Sequence, residues 1–236
     1  MTRRATGRRP PAIRRPVDAL DGIRAPRTPA GVVLGADATG APVTLAVLRP
    51  VGTRIVVLGA LHLARQIALR TVAQGARLEV TTGRADVWEP VARAAADPGR
   101  VHVTTADTGG DGPDDAHERT PGDTDAVLTV RDRGAAPVAP GAAADRAWRT
   151  TLVVLPSLTP AVADAADDAD VVLLGRMPPQ EADLATRLWR LSDPMAETLR
   201  TLPDQGVVAL GRNLWRRLDL VTAARETAVL GPVRRA

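Results

Sequence analysis

The chain has 236 residues, a hydrophobic content of 44% and a formal net charge of +4 at pH 7, which suits one globular core with an added tail. Cysteine and lysine are absent, so disulfides, thiolate catalysis, zinc–thiolate sites, a P-loop lysine and Schiff-base chemistry are excluded. With three histidines, we do not expect a histidine-based metal cluster.

The sequence also bears on where the protein resides. No apolar run approaches the length of about 18 residues that a membrane-spanning helix requires, and no apolar signal-peptide segment follows the N-terminal arginines. We therefore expect a cytoplasmic protein.

Arginine takes the place of lysine, and alanine, proline and glycine are abundant, which is typical of a GC-rich bacterial genome. The positive net charge is therefore weak support for a nucleic-acid partner.

Residues 1–29 combine arginine pairs with five prolines and little apolar surface. This composition predicts a disordered tail. An alternative function for the tail is an electrostatic contact with nucleic acid or with anionic lipid at the inner face of the plasma membrane. Its arginines are Arg3, Arg4, Arg8, Arg9, Arg14, Arg15, Arg24 and Arg27. The rest of the chain is close to neutral, so a basic face on the folded domain is not expected.

Residues 30–231 are predicted to form a single α/β domain. Two short β-like runs, 31–35 and 42–48, flank a turn at 36–40 and indicate an N-terminal β-hairpin. A strand at 55–58 then leads into a helix over 61–74. The predicted inner face of this helix consists of Leu61, Ala64, Ile67, Ala68 and Val72.

Further strands and helices alternate along the chain. A strand at 77–81 precedes a helix that Asp86 is predicted to cap, and a strand at 101–105 follows. This alternation indicates a mostly parallel sheet with flanking helices. Two more strands are expected at 126–130 and 151–155. The second is the most apolar of all and is therefore predicted to lie centrally, with both faces buried.

Two segments read as mobile surface loops, at about 106–124 and 134–146, because they are rich in glycine, proline, alanine and aspartate. The acidic residues of the first loop are predicted to be solvated rather than to bind a metal. The remaining predicted elements are a short helix at 161–166, a strand at 171–174, helices at 178–190 and 193–202, an antiparallel C-terminal hairpin at 206–210 and 214–220, and a helix or tail from 222, with a tail at 232–236.

The strand-to-helix junction at residue 59 occupies the place of a phosphate-binding P-loop, G-x-x-x-x-G-K-[ST]. Gly59 matches the first glycine, but Ala64 replaces the second, Arg65 replaces the lysine and Gln66 replaces the hydroxyl that binds magnesium. We therefore interpret this stretch as a degenerate P-loop position, with no cofactor expected. His62 is a weak candidate for a general base, because no partner carboxylate is identifiable.

A metal-dependent ATPase also needs an acid at the end of an apolar strand. The obvious strand, at 152–155, is followed by Pro156 and Ser157, with no carboxylate. We therefore predict neither catalytic nor metal-binding residues. Trp148, Trp189 and Trp215 are predicted to serve core packing rather than an interface, since the chain lacks Phe and Tyr.

The order of these pieces resembles the RecA-like motor domains of FtsK/EccC-type and conjugation-type secretion ATPases. The hairpin of residues 31–37 and 42–45 precedes the P-loop strand, as in the FtsK/EccC group. The late part, at 169–176, 180–185, 191–192, 199–202 and 206–210, resembles conjugation ATPases.

This resemblance implies a RecA-like α/β fold and an actinobacterial accessory protein related to type VII (ESX) secretion. Its partner would be a secretion-apparatus protein or a motor ATPase. Because the ATPase positions are altered, the leading hypothesis is a pseudo-ATPase that acts through protein–protein interaction. The alternative is a nucleotide- or small-molecule-binding α/β protein, such as an enzyme, that uses a crevice near Gly59, Thr82, Gly83 and Thr105. A third hypothesis is nucleic-acid binding through the tail alone.

Overall fold

The computed structural model describes residues 30–105, 126–132, 146–212 and 214–233. The predicted disordered tail at 1–29, the predicted mobile loop at 106–124, nearly all of the one at 134–146 and residues 234–236 lie outside the described residues. The division of the chain into tail, domain and loops stays a prediction.

The described residues contain one sheet of ten strands, β1 to β10, with the order β2-β1-β10-β9-β8-β3-β7-β6-β4-β5. The strands are β1 Ala30–Ala36, β2 Pro42–Leu48, β3 Thr53–Leu58, β4 Arg77–Thr82, β5 Val101–Thr105, β6 Val127–Asp132, β7 Arg149–Leu155, β8 Val171–Leu174, β9 Gly206–Gly211 and β10 Leu214–Leu220. The helices are α1 Leu61–Ala73, α2 Ala85–Ala94, α3 Ala163–Asp167, α4 Pro179–Trp189, α5 Asp193–Thr201 and α6 Ala224–Leu230, with short 3-10 turns at Pro98–Arg100 and Pro160–Val162.

Six strands, from β8 to β5 in the sheet order, run parallel to their neighbours. β3 and β7 are the sixth and seventh strands in the order of the whole sheet and lie in its interior, and β7 is buried from Thr150 to Leu155. An apolar run of this kind suits a parallel strand with helices on both faces. The predicted α/β class, the mostly parallel sheet and the central position of residues 151–155 are confirmed.

Both predicted hairpins are confirmed, and they belong to the same sheet. β9 and β10 pair antiparallel, and β9 also pairs antiparallel with β8. The hairpin of β1 and β2 joins through β1, which pairs with β10 only at Gly35↔Leu220 and Ala36↔Asp219. The N-terminal hairpin therefore forms the edge of the sheet on the antiparallel side, next to β10 and β9.

The sheet separates two hydrophobic clusters, because successive side chains of a strand point to opposite faces. On β3, Ile55 and Val57 belong to one cluster, which also holds residues of α1, α2 and α6. Val56 and Leu58 belong to the other cluster, with residues of α3, α4 and α5. The helices therefore form a layer on each face of the sheet.

The prediction for the buried face of α1 is partly wrong. Ala64, Ile67 and Ala68 are buried as predicted, but Leu61 and Val72 are only half-buried. Three polar residues, His62, Gln66 and Thr71, are buried instead. For His62 and Gln66, the reason is that α6 and the chain before it cover a second side of α1.

The start of α2 also differs from the prediction. The helix begins at Ala85, so that Asp86 lies within its first turn and does not cap it. A carboxylate in the first turn still interacts favourably with the positive end of the helix dipole.

The junction of the two hairpins depends on a glycine at residue 35. A Cβ atom there would overlap the carbonyl oxygen of Asp219 on β10. We expect Gly35→Ala to lower the free energy of unfolding by about 2 kcal/mol, because β1 and β10 would have to move apart. Urea denaturation measures this change. Gly83→Ala is the control, since a Cβ at Gly83 meets no atom within 4 Å. Equal stabilities of the two variants would contradict the role of Gly35.

Candidate functional site

The strand-to-helix junction after β3 is short. Gly59 has a φ of +67°, a conformation that favours glycine, and Ala60 alone separates it from the first residue of α1. The amide of Gly59 donates to the carbonyl oxygen of Leu155 (3.0 Å), and the amide of Ala64 donates to that of Ala60 (3.2 Å). Ala64, Arg65 and Gln66 therefore lie inside a regular helix and not in a loop that wraps around a phosphate.

Gln66 points towards the chain that precedes α6. Its side chain is fully buried, and its amide nitrogen donates to the carbonyl oxygen of Val221 (3.0 Å), to Thr222 Oγ1 (3.3 Å) and to Glu226 Oε2 (3.3 Å). Arg65 follows the same direction, since its Nη1 donates to the carbonyl oxygen of Leu230 (3.5 Å). Two of the residues at the P-loop position thus contact the C-terminal part of the protein.

One helical turn later, Arg70 makes the densest set of contacts in this region. Its Nε lies 2.5 Å from Glu226 Oε1, and its Nη2 lies 2.6 Å from Glu226 Oε2. The same guanidinium donates to the carbonyl oxygens of Val33 on β1 and Val221. We call Arg70, Glu226, Gln66 and these two carbonyl groups the Arg70 clasp. It joins α1 to β1 and to α6.

Burial and hydrogen bonding set the charge of Glu226. Burial raises the pKa of its carboxyl group, but the hydrogen bonds from Arg70, from the Ala223 amide and from Gln66 outweigh burial and hold the pKa below its ordinary value of 4.5. Only 12% of the Glu226 side chain and 18% of the Arg70 side chain are exposed. The pair is therefore a charged, mostly buried contact.

His62 lies in the same seam between α1 and α6. Burial and the nearby charge of Arg65 lower the pKa of its imidazole, against the opposing effect of Glu226. Sequence reasoning identified no carboxylate near this histidine, because Glu226 is far away along the chain. Among the described residues, His62 Nε2, Arg65 Nε and Gln66 Oε1 are buried without a hydrogen-bond partner. The seam is polar and only partly satisfied.

The strand expected to carry an ATPase acid ends as the sequence indicates, with Pro156 exposed after β7. Sequence reasoning missed an acidic residue at the end of the neighbouring strand in the sheet: Asp132 is the last residue of β6, which is adjacent to β7. Its carboxylate accepts hydrogen bonds from Arg84 Nε and Nη2 (2.9 and 2.7 Å), Trp88 Nε1 (2.8 Å) and Thr82 Oγ1 (3.2 Å). These donors tie β6 to β4 and α2 and leave none of the Asp132 side chain exposed.

The predicted crevice near Gly59, Thr82, Gly83 and Thr105 is wrong as a single site. β7 and β6 lie between β3 and β4, and β5 is one strand further out. At about 4.8 Å per strand, Thr82 and Thr105 are roughly 14 and 19 Å from the end of β3. The sequence shows which strands exist, but this separation depends on their order in the sheet.

Other site types find little support within the described residues. No group of three or more His, Cys, Asp or Glu side chains in those ranges is arranged to hold a metal ion. In the same ranges, no helix has the length and apolar character needed to cross a membrane. Trp189 and Trp215 are partly buried against the second hydrophobic cluster, in agreement with the predicted role in packing.

Comparisons with known proteins place the fold. No protein-family model matches the sequence, and no curated protein matches it either. Among solved structures, VirB4 of Thermoanaerobacter pseudethanolicus is similar, with a TM-score of 0.57 and 12% identity over 85% of this chain and 99% of that one. The fold is RecA-like. The DNA-packaging ATPase B204 of Sulfolobus turreted icosahedral virus matches less well, with a TM-score of 0.48 and 11% identity over 72% of this chain and 98% of that one.

The Arg70 clasp predicts that Glu226→Gln lowers the free energy of unfolding by about 2 kcal/mol, because Arg70 loses its buried counter-charge. The pKa of Glu226 is lowered in the folded state, so its contribution is present above pH 4.5 and is lost as the pH falls through the folded-state pKa. Urea denaturation at several pH values tests both statements. Glu89→Gln, which alters an exposed pair with Arg93, should change little. A similar loss for both variants would contradict the clasp.

His62 predicts a second pH dependence. Because its pKa is lowered from 6.5 in the folded protein, the unfolded chain binds a proton first, so stability falls as the pH drops below 6.5. His62→Gln should flatten the dependence of the unfolding free energy between pH 6.5 and 5. His102→Gln, at an exposed position on β5, should keep the original profile. An unchanged slope in the His62 variant would show that the imidazole does not titrate in this way.

Proposed function

We propose that this protein is a non-catalytic, ATPase-like accessory protein of a bacterial secretion apparatus that acts by protein–protein interaction. The RecA-like fold, similar to that of VirB4, supports the ATPase-like part. The observation that carries the non-catalytic part is the junction after β3, where the P-loop position is a helix whose polar side chains contact the C-terminal segment. The type VII (ESX) system of an actinobacterium is the setting that the sequence resemblance favours.

The chemistry of ATP hydrolysis indicates which contacts are lacking here. A P-loop offers free backbone amides, a lysine and a hydroxyl to the phosphates and magnesium. In this protein two amides of the P-loop position are engaged, because that of Gly59 donates to Leu155 and that of Ala64 donates to Ala60. The positions of the lysine and the hydroxyl hold Arg65 and Gln66, which face α6. These contacts support a scaffold rather than a working nucleotide site.

The proposed partner is a motor ATPase or another component of the secretion apparatus. In this proposal the protein acts in the cytoplasm and reaches the inner face of the plasma membrane through its partner. The arginine-rich residues 1–29 would add weak contacts with anionic lipid or nucleic acid. Binding of the purified chain to the motor ATPase of the same secretion system, measured by light scattering, tests this part. Residues 1–29 are the first segment to delete if binding falls with salt.

The proposal predicts no ATP turnover and no stabilisation by magnesium-ATP. We expect the melting temperature to stay constant up to millimolar nucleotide, because no nucleotide binds. A nucleotide that did bind would, at 100 times its dissociation constant, raise the free energy of unfolding by about 2.7 kcal/mol. Calorimetry and a phosphate-release assay provide the measurements. A dissociation constant in the micromolar range, or a nucleotide that co-purifies with the native protein in mass spectrometry, would instead support the alternative of a nucleotide- or small-molecule-binding protein.

A matched variant tests whether nucleotide binding is prevented by the helical backbone at residues 61–64 or only by the side chains that replace the P-loop residues. Ala64→Gly with Arg65→Lys restores two P-loop residues and leaves the buried Gln66 in place. We expect this variant to bind no nucleotide, because residues 61–64 remain in the helix. Nucleotide binding by the variant would show that the backbone can still form the loop.

A further inference from the structure

A groove lies beside the N-terminal half of β1. It encloses roughly 370 Å³ and is lined by Val32, Val33, Arg70, Ala73, Gln74 and Val221. Val33 and Val221 are 48% and 56% exposed, which is unusual among the large apolar side chains of the described residues. The groove is therefore an apolar surface that the described part of the chain leaves open.

The groove exists because β1 and β10 separate. They pair only at the end of β1, and the chain leaves the sheet after Leu220. Beyond this point, carbonyl groups of β1 accept hydrogen bonds from side chains at the end of α1. Arg70 donates to Val33, and Gln74 Nε2, from the residue that follows the helix, donates to Gly31 (2.8 Å). The polar backbone of this half of β1 is thus partly satisfied, while the side chain of Val33 is uncovered. An apolar occupant fits such a surface.

We propose that residues 13–23 of this chain cover the groove. The chain enters β1 at Ala30, directly beside Gly31, so residues 24–29 need to span only the distance from that strand to the groove. In an extended, proline-rich form these six residues reach about 19 Å. The segment is therefore close enough to dock on its own domain.

The sequence outside the described residues favours this segment over the others. Residues 13–23 contain four large aliphatic residues, Ile13, Val17, Leu20 and Ile23. They are three or four positions apart, a spacing that would place them on one side of the segment if it binds as a helical turn. By contrast, residues 106–125 and 234–236 contain no large aliphatic residue, and residues 133–145 contain only Val138.

Disulfide trapping tests this contact directly, because the natural chain has no cysteine. Leu20→Cys is combined with Val221→Cys in the groove, or with Val51→Cys as the control. Val51 is also an exposed apolar residue and lies three residues after Leu48, which pairs with Ala30, so a tail that is not docked can reach it at least as easily as Val221. We expect an intramolecular disulfide to form at least about tenfold faster with Val221→Cys, because docking raises the effective concentration of the two thiols. Equal rates in the two pairs would overturn the proposal.

A second measurement guards against a misleading cross-link. Leu20→Asp with Ile23→Asp should lower the melting temperature of the full chain by a few degrees, because the apolar side chains leave the groove. Ala5→Asp with Ala25→Asp makes the same charge change outside the segment and should leave it unchanged. Equal melting temperatures of the two variants would overturn the proposal. Disulfide-linked dimers as the main product of the Val221 pair would assign the groove to a second copy and would also overturn it.

Discussion

The contact between Arg70 and Glu226 holds together parts of the protein that are far apart in the chain. Arg70 lies on α1, Glu226 on α6, and the same guanidinium reaches the carbonyl oxygen of Val33 on β1. α6 has only seven residues, and a helix of that length has little stability of its own. Its position therefore depends on Leu230 in the core and on this charged pair. A forked guanidinium–carboxylate contact with further carbonyl acceptors keeps the buried charges satisfied.

The helix that carries Arg70 also forms the junction after β3, where a P-loop would lie. Gln66 and Arg70 are four residues apart, so they share one face of α1 and meet the C-terminal segment together. In this structure the helix already includes residues 61–64. A phosphate-binding loop would use those residues for a non-helical turn. The helical form of residues 61–64 and the contacts of Gln66 with the C-terminal segment are therefore two separate departures from a P-loop.

Much of the fold was predictable, because strand and helix patterns are local. The apolar run at 151–155 indicated a central strand, and the turn between the runs at 31–35 and 42–48 indicated a hairpin; both are confirmed. The order of strands was not predictable, and the grouping of Gly59 with Thr82 and Thr105 was wrong for that reason. The polar face of α1 was also missed. Hydropathy assigns Gln66 to the surface, whereas its partners lie about 155 to 160 residues away.

Asp132 shows why an acid at a strand end does not by itself indicate catalysis. A carboxylate that binds magnesium must keep oxygen lone pairs free for the ion or its water. The oxygens of Asp132 instead accept hydrogen bonds from Arg84, Trp88 and Thr82, and burial makes each of these bonds costly to break. The side chain at the end of β6 and those at the start of α1 thus have a common property. Both make hydrogen bonds to the protein itself, although His62 Nε2, Arg65 Nε and Gln66 Oε1 have no partner among the described residues. The bonded carboxylate of Asp132 agrees with the scaffold role proposed above.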